Sequence, residues 1–184
     1  MDKQQLIDIA KKVSKSNKFT GSARVIAIDG PAGSGKTTLA TELSAVLPNC
    51  TVVHMDDLYD GWNQDLITEL PQRIKKQILV PLSKLQTAEF VTYNWHAKLF
   101  DSSQTISNPE FIILEGVGAA NPSNSEYFAL RIWVEAEPSK LLDRLITRDG
   151  KQFREQLAAW QVHEARYFNQ LHVRKSCDLV VRVD

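Results

Sequence analysis

The sequence has few cysteines, no net charge and no long apolar run, and each shortage excludes a class of protein. Cys50 and Cys177 are the only cysteines in 184 residues and lack metal-binding spacing, so we expect neither a disulfide framework nor a cysteine metal site. Lysine and arginine total 22 against 22 acidic residues, so no global field favours nucleic acid or an anionic membrane. No stretch approaches the roughly 18 apolar residues of a membrane span, and the N-terminal residues lack a signal peptide's apolar core. We therefore expect a cytoplasmic protein with neither nucleic acid nor membrane as a partner.

The length and the residue pattern predict one domain in which strands and helices alternate. We predict a single domain over residues 1–184, with a helix and a connector in 1–22. The order predicts an α/β fold of three layers around a mainly parallel, doubly wound sheet, with ligands at the carboxyl ends of the strands. Residues 87–108 fit either a short strand or an ordered loop. Apolar runs predict strands at 25–28, 51–55, 111–114, 130–134 and 179–183, and helical spacing predicts helices at 3–14, 37–47, 66–85, 139–148 and 153–170.

A glycine-rich segment, residues 30–37, lies between the first predicted strand and a predicted helix. It reads Gly-Pro-Ala-Gly-Ser-Gly-Lys-Thr and matches GxxxxGK[ST], the phosphate-binding loop of P-loop proteins. Glycines let backbone N–H groups face an anion, and the following helix adds its positive dipole end. We expect Lys36 to reach the β- and γ-phosphates of ATP and the Thr37 hydroxyl to ligate Mg²⁺. The predicted nucleotide-binding residues are Gly30, Ala32, Gly33, Ser34, Gly35, Lys36, Thr37 and Thr38.

Carboxylates follow two further predicted strands. Asp56 and Asp57 come directly after the strand at 51–55, and Glu115 follows the run at 111–114. A carboxylate near an attacking hydroxyl orients it and accepts its proton, and we assign that role to Asp56. Glu115 and Asp56 are the predicted carboxylate ligands of Mg²⁺, together with Thr37. The alternatives are that Asp56 and Asp57 cap the next helix or turn, and that Glu115 is a solvated loop acid.

These segments together resemble the uridine kinase-like family of small-molecule kinases over roughly residues 23–183. The phosphate loop, Asp56-Asp57-Leu58-Tyr59, Tyr93-Asn94-Trp95, Glu115-Gly116 and Arg148-Asp149 follow one another as they do in that family. The resemblance implies that Asp56 is the catalytic base and that Glu115 assists Mg²⁺. Two features depart from the family pattern: Asn94 and Trp95 stand in a segment that is usually of the Tyr-Asp-Phe type, and the residues after Arg148-Asp149 are fewer. The loop segment is also similar to cytidylate kinase, whose larger insertion has no room here.

The remaining expectations concern a lid and an acceptor pocket. Arg144 and Arg148 share one helix face ahead of a flexible Asp-Gly step, which predicts a lid whose arginines stabilise charge on the γ-phosphate, with Arg148 as the catalytic one and Arg154 as a further candidate. The alternative is a solvated helix face. Trp133 and Trp160 are predicted to be packing residues. The predicted substrate contacts are Asp57, Tyr59, Tyr93, Trp95 and His96, with Trp62 as a further pocket aromatic; the alternative for these rings is core packing.

The sequence thus predicts a phosphotransferase that uses ATP and Mg²⁺ and has Lys36, Asp56 and Arg148 as catalytic residues. The favoured acceptor is a hydroxyl of a nucleoside such as uridine or cytidine. Two alternatives stay open: a kinase of another small hydroxyl metabolite, such as a vitamin precursor or sugar derivative, and a regulatory P-loop NTPase without a small-molecule acceptor. The sequence specifies no oligomeric state.

Overall fold

A computed structural model describes residues 3–183, and its centre is a parallel sheet. Five strands form this sheet: β1 (Arg24–Asp29), β2 (Cys50–His54), β5 (Phe111–Glu115), β6 (Phe128–Glu135) and β7 (Leu179–Arg182). Their order across the sheet is β2-β5-β1-β6-β7, and every neighbouring pair is parallel. The central strands are apolar because helices cover both faces of the sheet. All five predicted strands are present, and the predicted α/β fold is confirmed.

The helices agree with the five predicted ones, except that one of the five is interrupted and that a short helix at 173–176 was not predicted. They are α1 (Lys3–Ser14), α2 (Lys36–Ser44), α3 (Glu69–Ile74), α4 (Val80–Ser83), α5 (Pro138–Asp149), α6 (Arg154–Gln170) and α7 (Val173–Ser176). The single helix predicted at 66–85 is instead α3 and α4 joined by a π-helical segment, Lys75–Leu79. Short 3₁₀ turns lie at Met55–Asp57, Pro122–Tyr127 and Lys151–Phe153. Within residues 3–183, no helix combines the length and the hydropathy that a membrane span requires.

Two apolar layers enclose the sheet. On one face α1 and α2 pack against Ile26, Ile113 and Ile132. On the other face α3, α4 and α6 pack against alternate residues of the same strands, such as Val25 and Ile112. Alternation along each strand sends neighbouring residues to opposite layers, so both faces of one strand are buried. The helices therefore hold the sheet rigid beneath the ends of its strands.

Residues 87–108 form a β-hairpin rather than the single short strand or ordered loop that the sequence suggested. Its strands are β3 (Ala88–Asn94) and β4 (Leu99–Ile106), which pair antiparallel in a separate two-stranded sheet. Phe90 and Ile106 are buried in the core, whereas most of β4 is exposed. Asn94 shapes the turn, because its Oδ1 accepts hydrogen bonds from the N–H groups of His96 and Ala97 at 3.0 Å each. The hairpin thereby carries Trp95 and His96 toward the end of the main sheet.

Candidate functional site

The strand order brings the predicted functional segments to one edge of the sheet. β2, β5 and β1 are neighbours and run in the same direction, so their carboxyl ends lie side by side. Asp56 follows β2, Glu115 ends β5, and the glycine-rich loop follows β1. These segments line one cleft of about 730 Å³. The cleft lies where doubly wound sheets bind their ligands.

The loop at residues 30–37 needs glycine at two points where the backbone makes close contacts. Gly30 has φ of 142°, and a Cβ atom there would lie 2.1 Å from the Val134 carbonyl oxygen. Gly35 has φ of 97° and caps the start of α2. Both φ angles are strained for residues that carry a side chain. The loop can therefore wrap tightly between β1 and α2, which is the geometry of a phosphate cradle.

Lys36 curls over this loop and is nearly buried, with 7% of its surface exposed. Its Nζ donates to the carbonyl oxygens of Gly30 and Pro31 at 2.8 and 2.9 Å. These bonds hold the ammonium group at the mouth of the loop, where the residue also lines the cleft. A bound phosphate would meet a positive charge already fixed in place.

Several backbone N–H groups of the loop already have partners. Gly30 N donates to Asp29, Ala32 N to Glu164 and Ser34 N to the Pro31 carbonyl oxygen. The Ser34 side chain is fully buried beneath the loop, and its hydroxyl has no hydrogen-bond partner among the described residues. The first N–H groups of α2 have no acceptor inside the helix, as at every helix start. They belong to Lys36, Thr37 and Thr38, which all line the cleft.

A hydroxyl and a carboxylate meet beside the loop and form a pair that suits Mg²⁺. Thr37 Oγ1 donates to Glu115, with its carboxylate oxygens at 3.1 and 3.3 Å. Glu115 is 5% exposed, and its Oε1 lies 2.5 Å from Nδ1 of His54. Hard oxygen ligands of this kind, completed by substrate phosphates, are what Mg²⁺ prefers. Within residues 3–183 no group of three or more His, Cys, Asp or Glu side chains is placed to hold a metal ion.

Asp56 lines the cleft, and charged groups surround its exposed side chain. Solvent reaches the side chain through the cleft, but protein atoms crowd its carboxylate. Loss of hydration raises the pKa of Asp56, the Glu115 carboxylate raises it further, and Lys36 and Arg148 oppose the shift. A carboxylate with a raised pKa is a better proton acceptor when ionised. Gly116 makes room here, because a Cβ atom on it would lie 2.7 Å from Cβ of Met55.

Aromatic rings form one wall of the cleft. Trp62 packs edge-to-face against Trp95 and Trp160, with ring centroids 5.4 and 6.2 Å apart. Tyr59 stacks obliquely on Trp160 at 5.1 Å, and its hydroxyl is occupied by a bond to the Val117 carbonyl oxygen. The Tyr59 hydroxyl hydrogen is therefore already used, and only 3% of the residue is exposed. Trp160 is buried in the core, as predicted, and it also lines the cleft.

Two of the predicted substrate contacts do not reach the cleft wall. Tyr93 lies behind Trp95, with ring centroids 5.4 Å apart, and its other neighbour is Phe100 at 5.2 Å. Asp57 is half-buried beside Asp56 and does not line the cleft. Trp95 and His96 do line it, and the Trp95 indole N–H donates to the Asp56 carbonyl oxygen at 3.1 Å. The hairpin thus contacts the site through its turn, while Tyr93 supports that turn from behind.

The predicted lid arginines occupy different positions. Arg144 and Arg148 both line the cleft from α5. Arg144 is directed at the phosphate loop, since one of its guanidinium nitrogens lies 3.4 Å from the Gly33 carbonyl oxygen. Arg148 is 60% exposed and forms a bidentate pair with Asp149 at 2.6 and 2.9 Å. Arg154, the first residue of α6, is exposed and is not part of the cleft wall.

Sequence reasoning missed three polar residues that organise the site. Asp29 is fully buried, and its carboxylate accepts hydrogen bonds from Gly30 N and from residues of the loop after β5. Glu164 is 3% exposed and contacts the phosphate loop from α6. His54 holds Glu115. Only Asp29 carried a signal, because it is a charged residue at the end of an apolar strand directly before the loop motif.

Comparisons with known proteins agree with this geometry. Residues 26–168 match a protein family described as AAA domain. Uridine kinases of two strains of Ureaplasma parvum serovar 3 are each 26% identical over 162 residues, which cover 77% of this chain and 78% of the relative. The structure of a possible uridine kinase from Bacillus stearothermophilus matches with a TM-score of 0.66 and 21% identity, over 98% of this chain and 100% of the other. The predicted resemblance to uridine kinase-like proteins is confirmed.

Proposed function

Since the chain belongs to the AAA-domain family and holds a phosphate loop beside two carboxylates, we propose that it is an ATP-dependent kinase of a small molecule. The observation that carries the proposal is the position of Asp56. Its side chain lines the same cleft as Lys36, the phosphate loop and the aromatic wall. A carboxylate at this position could act on water as well as on a hydroxyl, but the aromatic wall in the same cleft favours a small-molecule acceptor.

In the proposed reaction the acceptor oxygen forms a bond to the γ-phosphorus, and the bond to the bridging oxygen of ADP breaks. Asp56 accepts the proton that the hydroxyl loses. Lys36 and Arg144, which lie at the loop, stabilise charge that develops on the phosphate oxygens. Arg144 takes this role in place of the predicted Arg148, whose guanidinium group pairs with Asp149. Thr37 and Glu115 would hold Mg²⁺, which supplies neutralisation of the phosphate charge when bound. Phosphoryl transfer then depends on positioning and electrostatics more than on covalent chemistry.

The pocket favours an uncharged acceptor with a flat ring, and a pyrimidine nucleoside is our first choice. Trp62, Trp95 and Trp160 offer ring faces and edges, which suit a base. A second phosphate would need a free guanidinium group. Arg73 is the one arginine between residues 56 and 115, and it is occupied by Leu58 O and by Gln64 Oε1, the latter at 2.8 Å. Between residues 56 and 115, therefore, no free arginine would hold the phosphate of a nucleotide acceptor.

One observation favours a second acceptor class, a different small hydroxyl metabolite. Asn94 stands where the family pattern has an acid, and its side chain is fully engaged in the hairpin turn. Its Nδ2 donates to Asp101 at 2.7 Å. Asn94 therefore offers no carboxylate to the hydroxyls of a ribose. A vitamin precursor or sugar derivative with a primary hydroxyl would not require that contact.

The test is ADP release with Mg-ATP and a panel of acceptors: uridine, cytidine, their monophosphates, vitamins and sugars. A kinase shows slow ADP release alone and much faster release with its acceptor. Acceleration by no small molecule, together with a response to a macromolecule, would contradict the proposal and favour a regulatory NTPase. A preference for a monophosphate would contradict the pocket argument alone.

The role of the aromatic wall is tested by a pair of variants at Trp95. Trp95→Ala removes the ring and the hydrogen bond to the Asp56 carbonyl oxygen, whereas Trp95→Phe removes the hydrogen bond and keeps a ring. If the ring stacks on the acceptor, the KM for the acceptor rises about 10-fold or more in Trp95→Ala and only slightly in Trp95→Phe. Equal effects would assign Trp95 to positioning Asp56 instead.

A further inference from the structure

A buried carboxylate that the proposed reaction does not use lies against the phosphate loop. Glu164 projects from α6, is 3% exposed, and both of its oxygens lie close to the Ala32 N–H, at 3.1 and 3.0 Å. Ala32 is the third residue of the loop motif. Glu164 therefore occupies a backbone donor of the cradle with a group of the same charge sign as a phosphate.

The ionisable groups near Glu164 indicate which part of a bound nucleotide would lie close to it. The charge of Lys36 acts on it from α2, and Lys36 is the residue expected to reach the β- and γ-phosphates. Asp29 at the end of β1 and Tyr59 beyond β2 are the other ionisable groups that interact with it, and Trp160 lies one turn earlier on α6. Glu164 does not itself line the cleft, but it contacts the phosphate loop from α6 within range of the charge of Lys36. An ionised Glu164 would repel the phosphates there.

We propose that Glu164 is a further residue of the nucleotide site, one that takes up a proton when a nucleoside triphosphate binds. In the nucleotide-free protein the ionised carboxylate accepts the Ala32 N–H. The protonated group still accepts that bond through its carbonyl oxygen and no longer repels the phosphates. This inference rests on the proposed use of ATP but not on the identity of the acceptor.

The electrostatics of the free protein agree with this role. Burial raises the pKa of Glu164 to about 7, Asp29 raises it further, and Lys36, the Ala32 N–H and Trp160 act in the opposite direction. The approach of phosphate charges favours the protonated form still more. Tyr59 stays neutral over the same range, because burial raises its pKa well above 10. By linkage, the contribution of Glu164 to triphosphate affinity is complete at low pH and is lost as the pH rises through about 7.

The test compares wild type with Glu164→Gln, whose amide oxygen can still accept the Ala32 N–H. Affinity for a magnesium-bound, non-hydrolysable ATP analogue is measured by calorimetry from pH 6.5 to 8.5, in buffers of different ionisation enthalpy. The ratio of variant to wild-type affinity is expected to rise about 10-fold between pH 7 and 8.5, and near pH 7.5 wild type is expected to take up about 0.8 more protons than the variant. Titrations that both proteins share, including those of Asp29 and of the nucleotide itself, cancel in these comparisons.

Glu155→Gln is the matched control, because it removes the same charge from an exposed position in the first turn of α6. It is expected to follow wild type at every pH. A constant affinity ratio, or equal proton uptake by wild type and Glu164→Gln, would overturn the inference. Absence of triphosphate binding in wild type would overturn the proposed function as well, whereas failure to find an acceptor would leave this measurement unaffected. Thermal unfolding of the three proteins at pH 6.5 shows whether Glu164→Gln is folded.

Discussion

Asp29 links the phosphate loop to the loop after β5 and to α6 through hydrogen bonds. We predict that Asp29→Asn destabilises the protein. Its carboxylate accepts Gly30 N at 2.8 Å, Gly118 N at 3.2 Å, Ala120 N at 3.0 Å and the Tyr167 hydroxyl at 3.0 Å. One side chain therefore connects the first residue of the phosphate loop, the loop after β5 and α6. The substitution preserves the shape of the group and changes one acceptor oxygen into a donor.

The expected magnitude follows from these contacts one at a time. Oδ1 survives and keeps Gly30 N. At the other position an amide nitrogen faces the Ala120 N–H, donor against donor, and leaves it buried without an acceptor, at a cost of about 1–3 kcal/mol. The Tyr167 hydroxyl can rotate and accept instead, while the remaining bonds weaken because they no longer involve a charge, by about 1 kcal/mol in total. Burial raises the pKa of Asp29, so loss of the charge recovers part of this cost. The two costs add to about 2–4 kcal/mol, and after this recovery we expect a net loss of about 1–3 kcal/mol, a large share of typical domain stability.

The assay is urea unfolding followed by tryptophan fluorescence and circular dichroism at pH 7. Tyr167→Phe is the control, because it deletes one of the four donors and keeps the ring; it is expected to cost about 1 kcal/mol. If Asp29→Asn lowers the free energy of unfolding by less than about 1 kcal/mol, or by no more than Tyr167→Phe does, the hydrogen bonds to the backbone N–H groups do not stabilise the protein as predicted.

Three further predictions concern catalysis and charge. Asp56→Asn is expected to retain ATP binding, measured with and without Mg²⁺, and to slow acceptor-dependent ADP release by about 10²- to 10⁴-fold; unchanged turnover would remove its role as base. In wild type the same turnover should fall as the pH drops through the raised pKa of Asp56, since only the ionised group accepts a proton. Lys36→Ala is expected to abolish transfer and to weaken ATP binding more than ADP binding, and near-normal turnover at saturating ATP would contradict the phosphate assignment. Two arginines lower the pKa of Glu135 to about 2, so its contribution to stability is present above pH 4.5 and lost as the pH falls toward 2; Glu135→Gln should remove that part of the acid sensitivity of urea unfolding.

The sequence predicted the parts of the fold that local pattern determines. Buried parallel strands are continuous apolar runs. The run at 111–114, which a glycine-rich turn follows, has the pattern of such a strand. The hairpin at 88–106 was not predicted as such because β4 is almost wholly exposed and carries little apolar signal. The π-helical segment Lys75–Leu79 was also beyond pattern reasoning, since its sequence keeps the spacing of an ordinary helix.

The site residues at strand ends were likewise predictable from the sequence, whereas those that only tertiary packing brings to the site were not. Lys36, Thr37, Asp56 and Glu115 follow strands whose ends must meet in a parallel sheet, and the structure brings them to one cleft. Glu164 could not be found from the sequence, because only the packing of α6 brings it to the phosphate loop. The two contacting residues, Glu164 and Ala32, are more than 130 positions apart in the chain. Tyr93 was predicted to contact substrate, but the register of the hairpin places it behind Trp95.

The contacts of α6 join the two halves of the cleft, and this connection bears on how the proposed reaction would be controlled. Trp160 belongs to the aromatic wall, Glu164 touches the phosphate loop one turn later, and Tyr167 holds Asp29 one further turn along. One helix face therefore contacts the aromatic wall, the phosphate loop and the carboxylate at the base of that loop. Because these side chains share a rigid helix, a shift at Trp160 when an acceptor binds would be felt at Glu164. This coupling can be measured as proton uptake. A bound acceptor should change the proton uptake that accompanies triphosphate binding in wild type and leave it unchanged in Glu164→Gln.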